Sequence, residues 1–332
     1  MVQHLALDVG GTKTHIALLS KTGHSPIAFI KEKKYHTQQV AGLEEVLLDF
    51  SPDMSNIESI SIALAGPVIN DEAQLTNVSW KVQKDQIIKA TGVKSIYLMN
   101  DLEASAFGVP FMKSSDLLTF YKAENRMKGN AAIISPGTGL GEAGMYWDGN
   151  DFHPFASEGG HCDFSPRDNT DVNLLIFLQH RFGRVSWERL VSGMGIANIF
   201  DFLRTSSEYQ LDKDMELSLL DGDVAANLSK AAVAGEHIAV ATMDLFTRYL
   251  AIESANLVLK FKATGGLFIG GGIIPKIWND HYESLFLQYF FRGGRLEPLL
   301  RSVDLTIILN PKSVLFGAAH FGITKGGKTK DI

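Results

Sequence analysis

The chain has 332 residues, 45% of them hydrophobic and 20% charged, with a net charge of −6. That length allows two domains with sizeable cores, and an acidic chain with no basic stretch interleaved with aromatics excludes an electrostatic nucleic-acid surface. Its single cysteine, Cys162, excludes an intramolecular disulfide and a cysteine-cluster zinc site. No apolar run approaches the ~20 residues a membrane span needs, so a cytoplasmic protein acting on small molecules is expected.

The first long motif is LALDVGGTKTHIAL, starting at Leu5. An apolar strand ends at Asp8 and Val9, Gly10 and Gly11 turn the chain, and residues 16–19 form a second strand. A double glycine between apolar runs closes a hairpin, and its bare amides also suit an anion. Asp8, a carboxylate at the end of a buried strand facing that turn, needs a partner such as a hydrated metal ion.

Residues 31–35 read as a basic exposed strand, Leu43–Phe50 as a helix, and Ile57–Leu64 as a second buried strand stopped by Gly66 and Pro67. In the LTNVSW segment that follows, Asn77 either hydrogen-bonds a polar ligand or stabilises a turn. A strand over 95–99 runs directly into Asn100, Asp101 and a helical pattern. Both residue types make good N-caps, and the carboxyl end of a strand entering a helix is also where open α/β sheets place ligands. Pro110 ends that helix, and the first domain boundary is placed there.

From Ala131 the opening plan repeats: a strand over 131–134, the turn Pro136-Gly-Thr-Gly-Leu-Gly141, and a strand over 143–147. The repeat implies duplicated halves facing one another. Glu158, Gly159, Gly160 and His161 then read either as a turn with solvated flanks or as a carboxylate and an imidazole converging on a ligand. The crowding of Glu158, His161 and Cys162 fits no zinc spacing.

Residues 171–182 are helical in pattern, and 185–190 open a further segment with Ser186 as N-cap, where Glu188 suits the helix dipole as well as a ligand. Residues 224–259 read as one or two core helices with a break near Gly235. A buried strand over 267–269 meets Gly270, Gly271 and Gly272 and a helix start, a turn against which a phosphate or flat ring can lie. The strand 305–309 and the helix 314–321 are expected to pack back on the first domain.

Two motifs mislead. Gly322-Ile-Thr-Lys-Gly-Gly-Lys-Thr329 matches the P-loop letter for letter, but the strand before it and the helix after it are missing. Gly139-Leu-Gly-Glu-Ala-Gly144 matches the dinucleotide fingerprint, yet a strand follows where a helix is required.

Taken in order, DVGGTK, LTNVSW, NDLEAS, GTGLGEAG, EGGHCDFSP, SWERLVSG and FIGGGI resemble the bacterial glucokinase family from Leu5 to about Ala319. The resemblance implies an α/β chain with the duplicated two-domain actin-like ATPase (ribonuclease H-like) fold and an active-site cleft between the domains. The small domain would take 1–110 plus about 302–325 and the large one 111–301, with a flexible tail at 326–332. ATP, Mg2+ and glucose are the implied ligands. Asp8, Gly10, Gly11, Thr12 and Lys13 would form the first phosphate loop, Gly137, Thr138, Gly139 and Gly141 the second, and Gly270, Gly271 and Gly272 the adenosine-side turn. Asn77, Asn100, Asp101, Glu158, His161 and Glu188 would line the sugar, with Asp101 as general base and Asp8 holding Mg2+ through water.

Lys13, where many of that family have Asn, and Ser135-Pro136 before the second loop depart from the pattern. The sister family of sugar kinases and repressors carries a cysteine-rich zinc motif after its E-x-G-H; one cysteine excludes it, so no zinc is expected. The resemblance also implies a homodimer. A silent sugar sensor on the same fold and a nicotinamide dehydrogenase are the alternative readings. The residues leave open the choice among glucose, mannose and glucosamine, and between ATP and polyphosphate.

Overall fold

The computed structural model describes residues 3–21, 27–75, 78–209, 211 and 213–328. The chain begins with β1 (Gln3–Val9), β2 (Lys13–Ser20) and β3 (Ala28–His36), an antiparallel meander. Helix α1 (Leu43–Phe50) leads to β4 (Ile57–Leu64), and the short strands β5 (Val68–Ile69), β6 (Glu72–Gln74) and β7 (Lys81–Gln83) make a small sheet of their own. Then come α2 (Lys84–Thr91), β8 (Ser95–Asn100) and α3 (Asp101–Gly108). The first sheet has the order β3-β2-β1-β4-β8, with β1, β4 and β8 parallel.

The next stretch holds β9 (Leu117–Tyr121), β10 (Ala131–Pro136), β11 (Leu140–Trp147), β12 (Phe152–Ser157), α4 (Asn169–Phe182) and α5 (Gly193–Leu203). It continues through α6 (Lys213–Leu220), α7 (Val224–Val233), the long core helix α8 (His237–Phe261), β13 (Gly266–Ile269), α9 (Ile274–Ile277), α10 (Asp280–Phe290), α11 (Glu297–Leu300) and β14 (Leu305–Ile308). The second sheet runs β12-β11-β10-β13-β14-β9, again with an antiparallel hairpin beside a parallel trio. The last helix, α12 (Ser313–Lys328), returns to the first sheet and packs on β1, β4 and α3. By contacts the chain divides into Met1–Ser114 with Phe152–Ala156 and Lys312–Ile332, and Ser115–Asp151 with Ser157–Pro311.

Strand alternation decides where β1 sends its side chains. Leu5, Leu7 and Val9 pack with Ile16, Val46, Leu47 and Phe50 in one apolar cluster, whereas Ala6 packs with Ala104, Leu315, Ala318 and Ala319 in another. Asp8 shares the parity of Ala6, so it belongs to the face that α3 covers, and α3 begins at Asp101.

Several expectations are corrected. The strand over 305–309 is β14, and it lies in the second sheet between β13 and β9, because parallel pairing with β13 satisfies its backbone there; only the helix returns to the first unit. β11 starts at Leu140, paired with Pro136, so the second turn shrinks to residues 137–139 and Gly141 lies inside a strand. Residues 185–190 form only a short 3-10 turn at Trp187–Arg189, and Ser186 makes no side-chain cap. The tail expected from 326 begins inside α12, which runs to Lys328. That helix also contains Gly322–Lys328, so the P-loop look-alike is no loop.

Candidate functional site

In the first unit the hairpin tip is a clamped turn. The Gly10 N–H donates to the Lys13 carbonyl at 3.0 Å, the Thr37 N–H to the Thr12 carbonyl at 3.0 Å, and Thr37 Oγ1 to the Gly10 carbonyl at 2.8 Å. Thr12 and Lys13 are left exposed, Gly11 half-buried. Thr37 is buried, and no motif marks it; its partners lie far back in the chain.

The carboxyl ends of β1, β4 and β8 stand level, since Val9 pairs with Leu64 and Leu64 with Asn100. Two strand spacings separate the ends of β1 and β8 by ~10 Å. Asp8 is half-buried, and its carboxyl is pushed up to about 7, first by burial and then by the charge of Asp101. Asp101 is the first residue of α3, and its Oδ1 accepts the Leu102 N–H at 2.8 Å.

Asn100 is the N-cap. Its Oδ1 accepts from Leu102 and Glu103 at 2.9 and 3.3 Å, and its Nδ2 donates to the Gly66 carbonyl at 3.2 Å. Most of its side-chain hydrogen bonding thus holds α3 and the Gly66 turn in place. Asn77 lies outside the described residues.

In the second unit the Gly137–Gly139 turn is closed by the Gly137 N–H on the Gly139 carbonyl at 2.8 Å, and held from α5 by the Gly193 N–H on the Gly137 carbonyl at 2.8 Å. Glu188 braces it from the other side: its Oε2 accepts the Leu140 N–H at 3.1 Å. The same oxygen would lie 2.5 Å from a Cβ at position 139, so a side chain there would push the Glu188 carboxylate off its place. Gly271 has φ +84°, and a Cβ on it would stand 2.9 Å from the Pro136 carbonyl carbon. The β13 turn therefore lies directly against the end of β10.

The Gly159–His161 turn is set beside Glu188 by backbone pairing. The Trp187 N–H donates to the Cys162 carbonyl at 3.0 Å, the Phe164 N–H to the Val185 carbonyl at 3.0 Å, and Arg184 Nη2 to the His161 carbonyl at 2.9 Å. His161 Nε2 then lies 3.9 Å from Glu158 Oε2, and Nδ1 lies 3.9 Å from Glu188 Oε1. These distances are too long for hydrogen bonds. The three side chains face one another with capacity left for a polar ligand.

A cleft of about 1220 Å³ runs beside the Gly137–Gly139 and Gly270–272 turns, lined by Gly137, Thr138, Gly193 and Gly272, by Asp223 and one side of α7, and by Lys276. Of these, the sequence motifs mark Gly137, Thr138 and Gly272 for the nucleotide; none marks Gly193, Ser229, Lys230 or Lys276 for it. Gly141 is not among its lining residues. No group of three or more His, Cys, Asp or Glu among the described residues could hold a metal.

The fold built on these two sheets, each with a glycine turn at a hairpin tip, matches those of solved sugar kinases. The crystal structure of glucokinase from an Antarctic psychrotroph matches with a TM-score of 0.83 at 26% identity, over 98% of this chain and 99% of its own. A ROK family glucokinase from Streptomyces griseus, in complex with glucose and AMPPNP, matches with a TM-score of 0.65 at 21% identity, over 97% and 99%. The class is that of the sugar kinases with the two-domain actin-like ATPase fold. At the level of sequence, the glucokinase family profile matches residues 5–324. A glucokinase of Trichormus variabilis is 36% identical over 95% of this chain and 97% of its own. The chain belongs to the glucokinase family.

Proposed function

We propose that this protein phosphorylates glucose at O6 with ATP, with Asp101 as general base. The observation that carries this reading is the placement of Asp101 near Asp8 on one face at level strand ends, close enough that the charge of Asp101 adds to burial in holding the Asp8 carboxyl up. In the reaction the bond between O6 and the γ-phosphorus forms as the bond from that phosphorus to the β–γ bridging oxygen breaks. The O6 proton passes to Asp101, and ADP leaves.

Glu158, His161, Glu188 and Asn100 would hold the sugar hydroxyls, each hydroxyl being costly to leave unpaired once water is excluded. Asn77 is kept in that set on the resemblance alone. The nucleotide would lie in the α7 cleft, with its phosphates at Gly137, Thr138 and Gly139 and its adenosine beside Gly270–272. Gly10, Gly11, Thr12 and Lys13 would meet the phosphates from the first hairpin.

Mg2+ fits Asp8: a carboxyl lifted to about 7 by burial and a like charge gains from a cation. An ion that takes one or two carboxylates and completes its shell with water and phosphate needs no larger acidic cluster. When bound, it neutralises phosphate charge. The same reading takes the enzyme to be a cytoplasmic homodimer, supported by the motif resemblance; sedimentation velocity checks the assembly.

The test is ADP release with ATP and magnesium across glucose, mannose and glucosamine, with polyphosphate as an alternative donor. Turnover on glucose is expected, and Asp101→Asn should lower kcat by ~10²–10⁴-fold with a small change in KM. Near-normal kcat in that variant would remove Asp101 as the base. ATP binding without turnover on any sugar would favour a silent sensor.

A further inference from the structure

Glu142 of β11 is 1% exposed, and neither of its carboxyl oxygens has a hydrogen-bond partner among the described residues. Leu140 and Glu142 alternate onto the same face of their strand. Both lie under the Gly159–His161 turn. A Cβ on Gly159 would overlap the Glu142 carboxylate, with Cδ at 3.0 Å, and one on Gly160 would overlap the Leu140 carbonyl. Ser157 Oγ ties the layers together, donating to the Glu142 carbonyl at 2.9 Å and accepting the Gly159 N–H at 3.3 Å. The backbone between Glu158 and His161 thus rests on a carboxyl group.

The surroundings oppose a charge there. From α8, Glu253 is fully buried, and its oxygens accept from Lys260 at 2.7 Å and Asn256 at 2.8 Å, so the nearby cation is already engaged. Arg167 acts on Glu253 and Cys162 on Lys260. Burial first, and then the charge of Glu253, push Glu142 up to about 8, with Lys260 pulling the other way.

We propose that Glu142 is a positioning residue for the sugar site: as a neutral acid it is the floor that sets Glu158 and His161, and on ionising it displaces the Gly159–His161 turn and weakens sugar binding. The proposal rests on the reading of those two side chains as sugar ligands.

The experiment measures glucose KM and kcat at saturating ATP from about pH 6 to about pH 9.5 for the wild-type chain and Glu142→Gln, which keeps the size and neutrality of the acid. The wild-type KM should rise toward roughly tenfold per pH unit above about pH 8 while kcat moves little, and the variant should stay flat. Glu142→Leu, an apolar side chain of similar volume, is a second variant with the same expected flat profile. A KM that rises equally in all chains, or in none, overturns the proposal.

Melting temperatures of the ligand-free proteins provide a readout that needs no activity. The wild type should lose stability relative to Glu142→Gln as pH rises, and a constant difference would overturn the assigned ionisation. Absence of glucose turnover in every chain would sink the functional reading and the sugar half of this proposal, while the melting comparison would still judge Glu142 itself.

Discussion

Burial and the charge of Asp101 hold the Asp8 carboxyl at about 7, well above the ordinary value of 3.8. Between those values the native state keeps a proton that the unfolded chain has lost, so stability falls as pH rises through the window. The loss is complete above about pH 7, with a ceiling of about 4 kcal/mol. Asp8→Asn should therefore melt higher than the wild type at pH 8, converge with it near pH 4, and turn over poorly at both; an equal Tm difference across that range would show that Asp8 does not titrate as placed. Glu188→Ala leaves the Leu140 N–H without its acceptor, a loss of about 1–3 kcal/mol. Because that side chain both braces the Gly137–Gly139 turn and faces His161, the variant should raise KM for ATP and for glucose. An unchanged ATP KM would show that the turn does not need the brace. Asp8, Asp101, Glu158, His161 and Glu188 were legible as candidates because glycines and strand ends mark their surroundings locally. Thr37 and Glu142 were not, since each acts on a turn to which only the fold brings it.

At the scale of elements, the helix pair α7 and α8 follows its sequence pattern, and the expected break falls where Gly235 adopts φ +86°. The 185–190 segment departs from its pattern. Its backbone N–H and C=O groups bridge to residues 162–164, and a full helix would use them up, so tertiary pairing overrides the capping signal. No sequence pattern marks β9, a half-exposed edge strand inside a polar stretch that is completed only by antiparallel pairing with β14. Gly271→Ala should fail at this scale: its positive φ and its contact with the Pro136 carbonyl force the β13 turn away from β10. The expected result is a lower Tm together with a raised ATP KM. A variant with wild-type values of both would show that the turn tolerates a side chain.

For the whole molecule, the first unit is completed only after the second has been synthesised, since α12 returns to cover the α3 face of the first sheet. Leu315 is fully buried in that contact, and Leu315→Ala should cost roughly 2–5 kcal/mol. Melting with turnover measured in parallel checks this; a Tm equal to that of the wild type would show that the helix does not carry that unit. No helix among the described residues is long and apolar enough to cross a membrane. From the sequence alone came the two strand–glycine–strand units, the strand-end carboxylates, the EGGH turn and the resemblance to glucokinases, because periodicity, glycine turns and motif order are written in neighbouring residues. Only the tertiary structure decided that β14 joins the second sheet, that Gly141 is a strand residue outside the turn, that Asn100 reaches the Gly66 carbonyl, and that Glu142 lies beneath the EGGH turn. Those outcomes depend on which backbone groups find partners across long stretches of chain, and on which side chains lose water when they do, and local pattern encodes neither.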